Sequence, residues 1–138
     1  MQETGLAKPE VRATKFADSV GIGSYWMDLH ITTTGDHGKF GSTLPFQIPL
    51  GALLPRRVEN LLPACKNRGT THLTNGCYRL HPVEWNIGES VGVLAAFCQA
   101  KKKLPRQIHA NGALLKEFQN LLTNEGVPLT WPKSVFPV

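Results

Sequence analysis

Long apolar runs are missing from this 138-residue chain. The longest, Val91 to Cys98, is broken by Gly92, and it falls far short of the roughly 20 apolar residues that a bilayer-spanning helix needs. Residues 1–20 have no apolar stretch behind a basic start, so no secretory leader is expected. Cysteine is scarce. Cys65, Cys77 and Cys98 are odd in number and widely spaced, which argues against a disulfide framework and for a reducing, cytoplasmic setting. Charged residues make up only 18%, and the composition is not that of a disordered chain. The net charge of +5 is diffuse. Its densest cluster, Lys101, Lys102, Lys103 and Arg106, has no interleaved aromatic ring, so it reads as a solvated helix end and not as a stacking surface for nucleic acid. Also absent is the dinucleotide fingerprint G-x-G-x-x-G. The nearest approach, Gly21-Ile22-Gly23, is followed by a strand pattern and not by a helix.

What is present suffices for one ordinary core: 41% of residues are hydrophobic, in a chain of single-domain size. Residues 18–34 alternate in part as a strand, with Tyr25, Met27, Leu29 and Ile31 on one face and Trp26, Asp28, His30 and Thr32 on the other. A Gly-rich loop, GDHGKFGSTLP, leads to a short strand, FQIPL, in which Pro49 favours an edge position. The run NLLPA, Asn60 to Ala64, reads as a short buried strand. The following KNRGTTHLTNGCYRL reads as irregular, with turn signals at Arg68-Gly69 and Asn75-Gly76. A helix is expected from about Pro82 to Lys103, with Pro at its start, Glu84 and Glu89 early and lysines at its end. Gly88 and Gly92 share one of its faces, where another backbone or a ligand could approach closely. A last helix, Asn111 to Asn124, carries Leu114, Leu115, Phe118, Leu121 and Leu122 at helical spacing and ends at Gly126 and Pro128.

The stretch from Asn60 to Gly92 is the one that carries chemistry. It runs from strand through polar loop to helix start. A helix start offers free N–H groups and the positive end of the dipole, which suits an anionic or electron-rich ligand. His72, Arg79 and His81 precede or open that helix. Arg79 is a planar donor suited to a carboxylate, and the two histidines can exchange protons near neutral pH. Glu84 reads as a dipole-favoured residue of the first turn, Trp85 as a core residue, and His30 and His37 are assigned no role.

These residues resemble the C-terminal segment of FAD-dependent oxidoreductases of the Rossmann-type FAD-binding superfamily. The resemblance rests on Asn60-Leu61-Leu62, Thr71-His72, Arg79 and Gly88-Glu89-Ser90-Val91-Gly92, and it covers residues 17–126. It implies an α/β fold (α+β taken as an isolated fragment). The chain would be the C-terminal part of an FAD-binding domain, carrying strands of an inserted substrate domain and two C-terminal helices. On that reading residues 1–16 are a lead-in and 17–58 a β-rich substrate-domain segment. Residues 59–126 supply the strand, loop and helix that complete the FAD-binding domain plus a last helix, and 127–138 form an extended tail.

The resemblance also implies roles. The amides of Val83, Glu84 and Trp85, with Asn86 beside them, would face the pyrimidine end of the flavin and stabilise charge at N1 and C2=O. Cys65 and Lys66 would lie near the ribityl chain. His72, Arg79 and His81 would serve the substrate side as catalytic residues. FAD would be the cofactor and a small molecule the substrate. The missing fingerprint implies a partner, the N-terminal FAD-binding half or a separate chain that provides it, and a chain that is not catalytic alone. A rival reading is a small binding module with structural zinc on Cys65, His72, Cys77 and His81. Their spacing, C-x6-H-x4-C-x3-H, lacks the usual C-x2-C knuckle. Cys65 beside Lys66 as a redox thiol is a further reading, for which no resolving cysteine is close in sequence.

Overall fold

The computed structural model describes residues 13–35, 37–132 and 134. The first strand, β1 (Ser19–Gly23), pairs antiparallel with β4 (Phe46–Pro49), and β2 (Met27–Leu29) pairs antiparallel with β3 (Lys39–Gly41). A 3-10 turn, Leu50–Leu53, follows β4. Four helices complete the chain: α1 (His72–Tyr78), α2 (His81–Lys101), α3 (Pro105–Ala110) and α4 (Gly112–Asn124). The fold is mixed α and β, as expected, and both small sheets are antiparallel. Among the described residues no helix is long and apolar enough to cross a membrane.

The sheet of β1 and β4 is the platform of the core. Its register runs Ser19 to Pro49, Ile22 to Gln47 and Gly23 to Phe46, with a bulge between Ser19 and Ile22. A bulge leaves backbone groups without ladder partners, and α2 supplies them. Asn86 Oδ1 accepts from the Ile22 N–H at 3.0 Å, and the Ser90 hydroxyl donates to the Val20 carbonyl at 2.6 Å. Asn86 and Ser90 are four apart, so one helix face reaches both. Gly21 is required here: a Cβ at that position would sit 1.9 Å from Asn86 Oδ1. On the other strand the Tyr78 hydroxyl donates to the Gln47 carbonyl at 2.6 Å, and the Tyr78 ring stacks on Phe46 at 4.3 Å. The tail closes over the same sheet. Trp131 Nε1 lies 3.1 Å from both the Gly23 and the Phe46 carbonyl oxygens, and Leu129 O accepts from Ser19 and Gln47.

The helix α2 buries Val83, Ile87, Ser90, Val91, Leu94, Phe97 and Cys98, a stripe at helical period. It ends at Lys102, whose φ of 53° is left-handed. At α4 the Asn111 side chain accepts from the Ala113 and Leu114 amides, and Gly126 (φ +90°) turns the chain out. One hydrophobic core joins Val20, Phe46, Ile48 and Leu53 to Tyr78, Ile87, Leu94, Ile108, Phe118 and Leu122. Residues 17–58 and 59–126 therefore share a single interior.

Several expectations need correction. The 18–34 segment is two strands in two different sheets, because the chain leaves β1 at Gly23 and pairs again only from Met27. The run Asn60 to Ala64 is not a strand. It finds no pairing partner among the described residues, Pro63 has no N–H to give a ladder, and Leu61 is 49% exposed. Asn75-Gly76 lies inside α1, which starts at Thr71 with a reciprocal cap: Thr74 N donates to Thr71 Oγ1 at 3.1 Å and Thr71 N to Thr74 Oγ1 at 2.9 Å. α3, anchored by the fully buried Ile108, takes in Arg106, so the basic cluster spans the end of α2, the turn after it and the first turn of α3. The expected lead-in lies outside the described residues except for 13–16, as does most of the tail beyond Pro132.

Candidate functional site

The helix α1 packs closely on the strand β2. Gly76 makes it possible: a Cβ there would stand 3.0 Å from Leu29 Cδ2 and 3.1 Å from the Asp28 carbonyl oxygen. Beside this contact opens a groove of about 280 Å³, lined by Asp28, Leu29, His30, Ile31, Thr32, His72, Asn75, Gly76 and Arg79. The α1 contributors fall at i, i+3, i+4 and i+7, one face of the helix. Arg79, half-buried at the end of α1, donates through Nη2 to the Asp28 carbonyl oxygen at 2.9 Å and to Asp28 Oδ2 at 3.0 Å. His30 Nε2 lies 3.1 Å from the same Oδ2. The Asp28 carboxylate thus sits between a guanidinium and an imidazole, and it holds Arg79 to the strand.

The structure brings together two of the three residues predicted to be catalytic. His72 opens α1 and Arg79 closes it, both on the groove. His81 opens α2 outside the groove lining, its ring 6.5 Å from that of Trp85. Asp28, His30 and Asn75 are groove residues that sequence reasoning missed. For Asn75 a signal existed, the helical spacing from His72 to Arg79. It was hidden by the turn-like Asn-Gly pair.

The start of α2 is the second feature. No side chain caps it. Pro82 has no N–H, and the Glu84 N–H donates to the Leu80 carbonyl at 2.9 Å, so the helical amides left for a ligand are those of His81 and Val83, with that of the N-cap Leu80 beside them. Trp85 is 72% exposed and not a core residue; it occupies the helix face opposite the buried stripe. The predicted cofactor residues divide. Cys65, Lys66 and Trp85 are exposed, whereas Val83 packs in the core, Glu84 is buried and Asn86 holds β1. Lys66 Nζ is 3.9 Å from Glu84 Oε1. Behind them Arg68, 6% exposed, lies over the Tyr78 ring at 5.1 Å and donates to the Cys65 carbonyl at 2.9 Å. Burial pushes its guanidinium down from the ordinary arginine range, while Tyr78 and Glu84 oppose that effect.

The zinc reading is not supported. Cys77 is fully buried and donates through Sγ to the Thr74 carbonyl, whereas Cys65 is exposed and His72 and His81 open two separate helices. Among the described residues no three His, Cys, Asp or Glu side chains converge on a metal position. A thiol titration checks this placement. In the native chain Cys65 is expected to react at least about tenfold faster than Cys77 or Cys98, since the thiolate is the reactive form and burial hinders both access and ionisation. Burial raises the Cys98 pKa, which works in the same direction. All three should react under denaturant; two fast thiols in the native chain would contradict the buried placement of α1 or α2.

The donors at the start of α2 fit one part of FAD only, the electron-rich edge of its ring system, for which an uncapped helix start and an exposed indole are suited. They do not fit its pyrophosphate. The sequence holds no G-x-G-x-x-G turn, and the buried Arg68 is engaged with Tyr78 and the Cys65 carbonyl.

No curated protein and no solved structure matches the chain. A family model described as FAD dependent oxidoreductase matches residues 3–122 of the 138. That span takes in both small sheets, the groove, the start of α2 and nearly all of α4, and on this match the chain belongs to the FAD-dependent oxidoreductase family.

Proposed function

We propose that this chain contributes the substrate side and the ring-facing helix start of an FAD-dependent oxidoreductase. The Rossmann part that cradles the dinucleotide would come from another segment or a separate chain, and the chain described here would not turn over substrate alone. The observation that carries the reading is the uncapped start of α2, two residues after Arg79 of the groove. On this reading the His81 and Val83 amides face the flavin edge, Trp85 and His81 flank the ring, and Cys65 and Lys66 lie toward the ribityl side. Val83, Glu84 and Asn86 act by fixing the helix start against β1 and the core. His72 and Arg79 address a small-molecule substrate in the groove. FAD when bound supplies the redox chemistry; the protein's part is orientation and field. Three cysteines, none in a disulfide among the described residues, suit a reducing, cytoplasmic compartment.

Flavin titrations test this reading. Since the AMP half of FAD finds no site here, FAD and riboflavin should bind this chain weakly and within about tenfold of each other, followed by quenching of flavin fluorescence. Trp85→Ala should weaken both. A chain that binds FAD more than about a hundredfold tighter than riboflavin, or one indifferent to Trp85→Ala, would overturn the assignment.

A further inference from the structure

We propose that the groove between β2 and α1 is a binding site for a small carboxylate with an apolar body. Its lining supplies cationic and neutral donors from one helix face, Arg79, His72 and Asn75. Arg79 commits Nη2 to Asp28, and its Nε and Nη1 have no partner among the described residues. His72 and the Asn75 carboxamide lie on the same helix face, also without side-chain partners there. The one anionic group, Asp28, already faces Arg79 at 3.0 Å and His30 at 3.1 Å. A monoanion therefore meets the remaining Nε and Nη1 donors of a guanidinium already paired with Asp28, together with the imidazole and the amide, and charge-assisted hydrogen bonds of this kind are the stronger ones. A phosphate dianion would bring a second negative charge close to Asp28, which disfavours it. Leu29 and Ile31 line the remainder of the groove, so the part of the ligand away from the carboxylate is apolar. A volume of about 280 Å³ lies at the small end of ligand sites.

The inference rests on reading this groove as the substrate side. Its test contains no flavin, so the two can fail separately. The full chain would be titrated with benzoate, with benzamide as the uncharged match and inorganic phosphate as the alternative anion, and followed by nuclear magnetic resonance. Benzoate is expected to give saturable shifts at Asn75, Gly76 and the His72 ring. Benzamide and phosphate should bind at least about tenfold more weakly. His72→Gln, at an exposed site with no side-chain partner among the described residues, should weaken benzoate at least about threefold with the fold unchanged. Arg79→Gln should weaken it further, and if that variant fails to fold the His72→Gln result decides. Equal binding of benzamide or phosphate, an unsaturable benzoate response, or His72→Gln without effect would each overturn the proposal.

Discussion

Phe46→Ala is expected to remove about 3–5 kcal/mol of stability, which is much of the roughly 5–15 kcal/mol available to a domain of this size. The ring is fully buried, stacks on Tyr78 at 4.3 Å and stands over Gly23. Its own carbonyl accepts from Trp131. Truncation opens a cavity at the point where β1, β4 and the ring at the end of α1 meet, and the short two-stranded sheet has little means to collapse into it. Urea unfolding followed by circular dichroism would measure the change. A loss below about 1 kcal/mol, well under the usual range for a buried ring, would show that Phe46 is not packed as described.

The second large effect lies across from that ring. In Gly23→Ala the added Cβ would fall 2.4 Å from Phe46 Cε2, 2.8 Å from Cζ and 3.0 Å from Val83 Cγ2. None of these atoms has room to retreat, since Phe46 is held by Tyr78 and Val83 by the first turn of α2. Overpacking of this sort costs about 1–3 kcal/mol. The mechanism predicts non-additivity. Gly23→Ala combined with Phe46→Leu should be more stable than the sum of the single changes by at least about 0.5 kcal/mol. Strict additivity in denaturant unfolding would mean that the alanine is accommodated by a backbone shift and not by strain against the ring.

The elements that could be read in the sequence were those whose signals are local. α4 shows a helical stripe bounded by asparagine and glycine, and α2 is marked by the proline and acids at its start and the lysines at its end. β4 shows as a short apolar run closed by Pro49. What could not be read depended on distant partners. Asn75-Gly76 has the composition of a turn; only the approach of β2, 3.1 Å from a would-be Cβ to the Asp28 carbonyl, explains a glycine in the middle of a capped helix. Asn60 to Ala64 has the composition of a buried strand, yet a strand needs a neighbour and none comes from the described residues. The site divides in the same way. His72 and Arg79 could be found from their residue types and the family resemblance. Asp28 and His30 could not, because Asp28 meets Arg79 across 51 positions of sequence.

The clasp over the first sheet has a consequence for biosynthesis. The Ser19 hydroxyl is bonded to the Leu129 carbonyl, 110 positions later. At a ribosomal rate of about 5–20 residues per second, β1 emerges roughly 5–20 s before the segment that fastens it. For that interval the Gly23 and Phe46 carbonyls lack their indole donor. Translational pausing before residue 129 would lengthen the exposure.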